Sequence, residues 1–368
     1  MALRRFPFAF LTCLAITIPA FAQPPKTGPH PAEWKKSVDK AYGYLKGRQG
    51  EDGSFAPKLG GPGITAMAVA GLIKCGYSMD DPVVAKGLKF LESNVQKDGG
   101  VYNKMLANYT TSLGVMAFKE ANGSGKYDAV IANATKFLRS LQYGDGLDVK
   151  DATFGGAGYD GKTRPDTSNT QFFMEALIAG GASQTDPAVK KALAFLSRAQ
   201  NQPGEFNDQA FAGKVTDDDK GGFVYNHVDA DADKNPKRTP QGGLRSEGGM
   251  TYAGLKSFLY AGVGKDDARV KATIGWVKRH YTLTENPGMG QAGLYYYYHT
   301  FSKAMAALGE DQFEDAKGVK HDWKKELFET LKSKQSADGS WSNPNKQFLE
   351  DNPDLATCFA VLALGYCK

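Results

Sequence analysis

The sequence predicts an all-α protein: a closed double ring of six helical hairpins, with a long loop insertion around residues 200–245. Three observations predict it. Six strongly apolar segments recur along the chain, each with a threonine near its start. Six amphipathic segments alternate with them. Glycine-rich turns ending in an aromatic residue link the two kinds.

The amphipathic segments are "WKKSVDKAYGYLKGRQ" (34–49), "DDPVVAKGLKFLESNVQ" (80–96), "YDAVIANATKFLRSLQ" (127–142), "DPAVKKALAFLSRAQ" (186–200), "DDARVKATIGWVKRHY" (266–281) and "HDWKKELFETLKSKQ" (321–335). Each carries Lys or Arg on one side and an apolar stripe at helical spacing on the other. Several open on Asp or Asp-Pro, a signal for a helix start. The apolar segments are "ITAMAVAGL" (64–72), "YTTSLGVMAF" (109–118), "NTQFFMEAL" (169–177), "MTYAGLKSF" (250–258), "HTFSKAMAAL" (299–308) and "ATCFAVLAL" (356–364). Their threonines are Thr65, Thr111, Thr170, Thr251, Thr300 and Thr357. Apolar residues cover nearly the whole circumference of most of these helices, so they are expected to be buried on all sides. An open stack would leave one wet face on each helix pair, so the pattern favours closure, with these helices innermost.

The turns carry the repeat. "RQGEDGSF" and "KQSADGSW" place Gln, then Asp-Gly-Ser, then an aromatic; "QKDGGVY", "GGAGY", "GGFVY" and "QAGLYYYY" are partial copies. Glycine permits a tight turn off the helix, the aromatic packs beneath the next hairpin, and the Gln bonds across the repeat boundary. These turns resemble the QW motif of squalene–hopene cyclases and the Gly-aromatic repeats of protein prenyltransferase β subunits. The resemblance covers residues 34–368 and implies an (α/α)6 toroid of the terpenoid cyclase/prenyltransferase superfamily.

It also implies where chemistry would sit. Triterpene cyclases initiate from an Asp-rich DXDDT motif at the start of an inner helix, where one protonated carboxyl attacks an alkene. The only match is "DTSNT". Asp166 stands at the first acid, but Ser168 and Asn169 replace the other two, and a hydroxyl cannot protonate an alkene. The residues read as a helix start, with Ser168 as N-cap and Gln171 closing a capping box. Prenyltransferases hold zinc with Asp, Cys and a His in a "YHT" context. His299 falls on that His, whereas "SEGGMTYAGLKSF" supplies Glu247 but Met250 or Gly249 in place of the thiolate. One His and a loosely placed Glu do not make a tetrahedral site. Asp166, Glu247 and His299 are therefore the catalytic candidates, none with an assigned role.

The remaining expectations follow from composition. A formal charge of +5 with mixed signs offers no basic stripe for nucleic acid. Arg4 and Arg5 before an apolar run to Phe21 read as a signal peptide over 1–22, followed by a linker over 23–33 and the toroid over 34–368; a secreted or periplasmic protein is expected. Cys75, Cys358 and Cys367 form at most one disulfide. Asp229, Asp231 and Asp233 resemble the first ligands of a calcium loop, but Lys234 and Pro240 stand where the glycine and bidentate Glu belong. The 200–245 insertion is expected to be a solvated loop or a lid. No metal site or cofactor is expected. The expected function is binding of an apolar or isoprenoid-like ligand, or a peptide, in the central cavity. Asn169, Gln171, Phe172, Tyr252, Tyr296, Tyr298 and Phe301 are the candidate lining residues. The alternatives are a divergent cyclase or prenyltransferase-type enzyme, and a structural or partner-binding ring with a filled core.

Overall fold

A computed structural model describes residues 27–229 and 235–368. The predicted signal segment and two of the calcium candidates, Asp231 and Asp233, lie outside the described residues. Among the described residues the regular elements are helices, apart from a short antiparallel pair, β1 (Phe313–Glu314) and β2 (Lys320–His321), with turns and irregular chain between them.

The amphipathic segments form α1 (Pro31–Arg48), α4 (Pro82–Ser93), α6 (Asp128–Ser140), α8 (Pro187–Arg198), α10 (Ala268–Arg279) and α12 (Trp323–Lys334). The apolar segments form α3 (Pro62–Lys74), α5 (Ala107–Glu120), α7 (Thr167–Ala179), α9 (Gly248–Tyr260), α11 (Leu294–Leu308) and α13 (Pro353–Leu364). A single turn, α2 (Pro57–Gly60), precedes α3. Neighbouring apolar helices pack in order from α3 to α13, and α13 returns onto α3. The inner ring is closed. Each outer helix packs on an inner one, α1 pairing with α13. In such a ring of hairpins the six inner helices run parallel, so their N-termini gather at one end and their C-termini at the other.

The repeat residues have a definite task. The hydroxyls of Thr65, Thr111, Thr170, Thr251 and Thr357 accept from the backbone N–H of Phe55, Val101, Ala157, Phe223 and Trp341 at 2.8–3.0 Å. Each inner helix thereby fixes the turn that leads into it. Gln49 and Gln335 span the boundary to the next outer helix: Gln49 Nε2 donates to Val83 O at 2.9 Å, and Gln335 Nε2 to Ser37 O at 2.9 Å. The turn glycine must be glycine. Gly339 has φ +93°, and a Cβ there would stand 2.2 Å from Lys40 O. Because Lys40 lies on α1, this last turn also closes the ring. The hairpin of α10 and α11 departs from the pattern: Thr300 bonds its own helix at Tyr297 O (3.1 Å), and the β1–β2 pair occupies the connection to α12.

The described residues of the 200–245 segment form a largely irregular loop with a buried base: Gln200, Asn201, Asn207 and His227 are buried, whereas Glu205 and Phe206 are exposed. Asn201 Nδ2 donates to Leu244 O and Ser246 Oγ, tying its two ends together. Cys75, Cys358 and Cys367 are buried free thiols, within the expected limit of at most one disulfide.

Candidate ligand cavity

A cavity of about 350 Å³ opens at the end of the ring where the inner helices begin. That volume falls at the low end of small-molecule sites. Its wall includes Tyr109, Tyr159, Tyr225, Tyr296, Phe348 and Phe359, with aliphatic residues of α2, α3 and α13 between them. Tyr109 meets Phe172 edge-on at 5.4 Å, and Tyr296 meets Phe359 edge-on at 5.7 Å. Edge-to-face packing of this kind favours fixed ring orientations.

Three buried carboxyls surround this aromatic chamber, and helix geometry accounts for all three. Asp166, not Ser168, is the N-cap of α7: Oδ1 accepts from Asn169 N–H and Oδ2 from the Asn169 side-chain amide, both at 2.8 Å. The expected Ser168–Gln171 capping box is therefore not formed. Glu247 stands at the N-cap position of α9 and pairs with the Lys237 ammonium. Glu350 accepts from Tyr296 N–H at the start of α11, 2.8 Å away, and from Asn343 Nδ2 at 2.8 Å. Helix N-termini attract anions, which explains why acids collect at this end. Burial nevertheless pushes all three carboxyls above the ordinary carboxylate range, only partly offset by those N–H groups and, at Glu247, by Lys237.

Ser168 Oγ sits 3.0 Å from Tyr296 OH inside the cavity. Tyr296 is thus a lining residue, and Asn169, Gln171 and Phe172 stand in the layer directly behind it. The other three lining candidates are corrected. Tyr252 packs on Tyr297 and Phe301, Tyr298 OH donates to Leu283 O at 2.7 Å, and Phe301 faces Trp323 of α12. They form the seam between inner and outer rings, because four consecutive aromatics on one helix must point in every direction around it.

His299 belongs to the floor of the ring rather than to a metal site. It stacks on Phe172 at 6.3 Å, and burial together with the charges of Lys303 and Lys256 holds it neutral. Among the described residues no three His, Cys, Asp or Glu side chains converge as metal ligands. Asp229 pairs with Arg164 at 2.8 Å.

Sequence reasoning missed Tyr159 and Tyr225, both outside the inner helices. It also missed a buried cluster at mid-height: Glu175 receives Lys256 Nζ on Oε2 at 2.5 Å and Lys303 on Oε1, while Gln171 Oε1 receives Lys256 as well. The signal was present as single charges inside apolar helices, at Glu175, Lys256 and Lys303.

Residues 58–218 match the family model of the squalene–hopene cyclase C-terminal domain. A probable squalene–hopene cyclase of Sinorhizobium fredii is 28% identical over 152 residues, which are 40% of this chain and 23% of that protein. The match therefore spans about a quarter of the relative's length. Among solved structures, the type II terpene cyclase MstE from Scytonema is similar over 92% of this chain and 98% of its own, at 15% identity and a TM-score of 0.34. A substituted form of MstE in complex with geranylgeranyl dihydroxybenzoate is similar over 91% and 97%, at 13% identity and a TM-score of 0.34. No described helix is long and apolar enough to cross a membrane. The matched segment is similar to that family's C-terminal domain, and the closed double ring repeats the same helical hairpin beyond it to the last helix.

Proposed function

We propose that this protein binds an apolar, isoprenoid-like molecule in the aromatic cavity and does not cyclise it by the acid route of its relatives. One observation carries the reading: an aromatic chamber at the inner-helix N-termini lined by the Ser168 hydroxyl, where the resemblance to the DXDDT motif would place one of its acids. Tyr and Phe faces suit both alkenes and cationic groups. Asp166 is spent on capping α7, with both oxygens committed to Asn169. The amino-terminal segment motivates the further proposal that the protein is exported.

The test is to incubate purified protein with lipid extract and identify by mass spectrometry what co-purifies. The expected result is a retained isoprenoid-like lipid, recovered unchanged. Met250→Trp, placed in the cavity wall, is expected to lower the retained amount at least tenfold. An empty protein overturns the binding reading. A second reading is a divergent cyclase that uses Glu247, a buried carboxyl raised by burial that lines the same cavity. It predicts a cyclised product that Glu247→Gln abolishes.

A further inference from the structure

The aromatic cavity takes up only one end of the ring. A second cavity, of about 360 Å³, opens at the other end, where the inner helices finish. Its floor is Glu175, His299 and Lys303; its sides include Met67, Ala70, Leu113 and Leu362; Lys74 and Glu120 pair across its rim at 3.1 Å.

Three features of this floor point to a ligand. The first is charge. Glu175 is shared by Lys256, which is fully buried, and Lys303, whose side chain is 6% exposed. One carboxylate cannot neutralise two ammonium groups, and Gln171, the other partner of Lys256, is neutral. The cluster thus keeps one unit of positive charge in a low-dielectric interior, where an unpaired charge is costly. The effect is visible in Lys256, where burial, reinforced by Lys303 and opposed by Glu175, brings the ammonium down to about 8. The second feature is an orphaned polar atom. His299 is 1% exposed, lines the cavity, and leaves Nδ1 without a hydrogen-bond partner. The third is the wall, in which Met67, Ala70, Leu113, Ile178 and Leu362 form an apolar stretch beside Tyr260 and Tyr366, a surface suited to a hydrocarbon chain rather than to a small hydrated ion.

We propose that this second cavity binds an aliphatic carboxylate, the head group pairing with Lys303 beside His299 and the tail lying along Met67, Ala70, Leu113 and Leu362. The single excess charge matches a monoanion. A phosphate dianion would over-neutralise the cluster and would gain nothing from the apolar walls. The bound carboxylate turns the two-cation, one-anion cluster into a balanced set of four charges.

Calorimetry of the purified protein with octanoate and with 1-octanol tests this. Octanoate is expected to bind at least tenfold more tightly than octanol. Lys303→Met is expected to remove that preference while leaving octanol affinity within about twofold. Met250→Trp, which fills the aromatic cavity at the opposite end, is expected to leave octanoate affinity unchanged. Equal binding of the two ligands by the unaltered protein overturns the proposal, as does a preference that survives Lys303→Met or disappears in Met250→Trp. If Lys303→Met does not fold, thermal shifts of the unaltered protein decide: octanoate raises Tm and its methyl ester does not, or the proposal fails.

Discussion

Asp166 combines two opposed influences on one carboxyl. It is 3% exposed, and burial raises its proton affinity, yet its oxygens accept from the backbone and side chain of Asn169 at the start of α7. A carboxyl raised in the folded state binds its proton more tightly there than in the unfolded chain. Its contribution to stability is therefore complete below the ordinary value of 3.8 and is lost as pH rises through the folded-state value. Asn caps a helix about as well as Asp and never ionises. Asp166→Asn is therefore expected to melt at or above the parent temperature at neutral pH, the difference shrinking as the pH is lowered toward 4. Paired thermal melts across that range check it. A variant that loses stability uniformly at every pH would show that the charge itself holds the helix start.

At the scale of elements, the 200–245 segment gives the clearest case. His227 is 1% exposed, packs on Phe195 of α8 at 4.5 Å, and bonds Ala152 O through Nε2 at 3.0 Å. Burial carries its imidazole down to about 3, so the folded segment holds it neutral. Stability from this residue is complete above the unfolded value of 6.5 and is lost as pH falls toward 3. By pH 5 the loss amounts to about 2 kcal/mol, taking ~1.4 kcal/mol per pH unit. Hydrogen exchange at pH 5 is expected to show the segment around Tyr225 and His227 opening before the helices, and His227→Phe is expected to flatten that acid sensitivity. How much could be read in the sequence divides along the same line. The twelve helices were legible because each outer helix carries an apolar stripe at helical spacing and each inner helix is apolar nearly all round behind a marking threonine, five of which bond the turn that leads into their helix. Of the residues lining the aromatic chamber, Tyr296 was named from the sequence as a lining candidate, whereas Tyr109 and Phe359 were passed over although they lie on inner helices. Tyr159 and Tyr225 come from irregular segments whose placement depends on long-range bonds, such as Thr167 N–H to Tyr225 O at 2.9 Å, that no periodicity announces. The Glu175 cluster was hidden for a related reason: residues 175, 256 and 303 meet only because the ring closes.

Closure is the property of the whole molecule on which both cavities depend. The seam lies where α1 meets α12 and α13. Trp34 Nε1 donates to Leu364 O at 2.9 Å, Ser37 and Gln335 exchange two bonds, and Tyr44 and Arg48 both reach Asp354 at the start of α13. Gly339 is the tightest point of this seam, since its φ of +93° and its approach to Lys40 O exclude any Cβ. Left-handed backbone costs a non-glycine residue about 1–2 kcal/mol. The clash adds to that, because α1 must withdraw to admit the methyl group. A total near 3 kcal/mol is expected for Gly339→Ala, in the range of ordinary core damage. Gly123→Ala is the control, in a turn with nothing within 4 Å of the added methyl group and no positive φ, and is expected to change stability by less than about 0.5 kcal/mol. Urea unfolding of both variants, with octanoate and isoprenoid retention measured on the folded fraction, distinguishes local strain from loss of closure. If the ring acts as one unit, Gly339→Ala weakens both cavities together although it touches neither. If only the seam loosens, stability falls while both ligands keep their affinity.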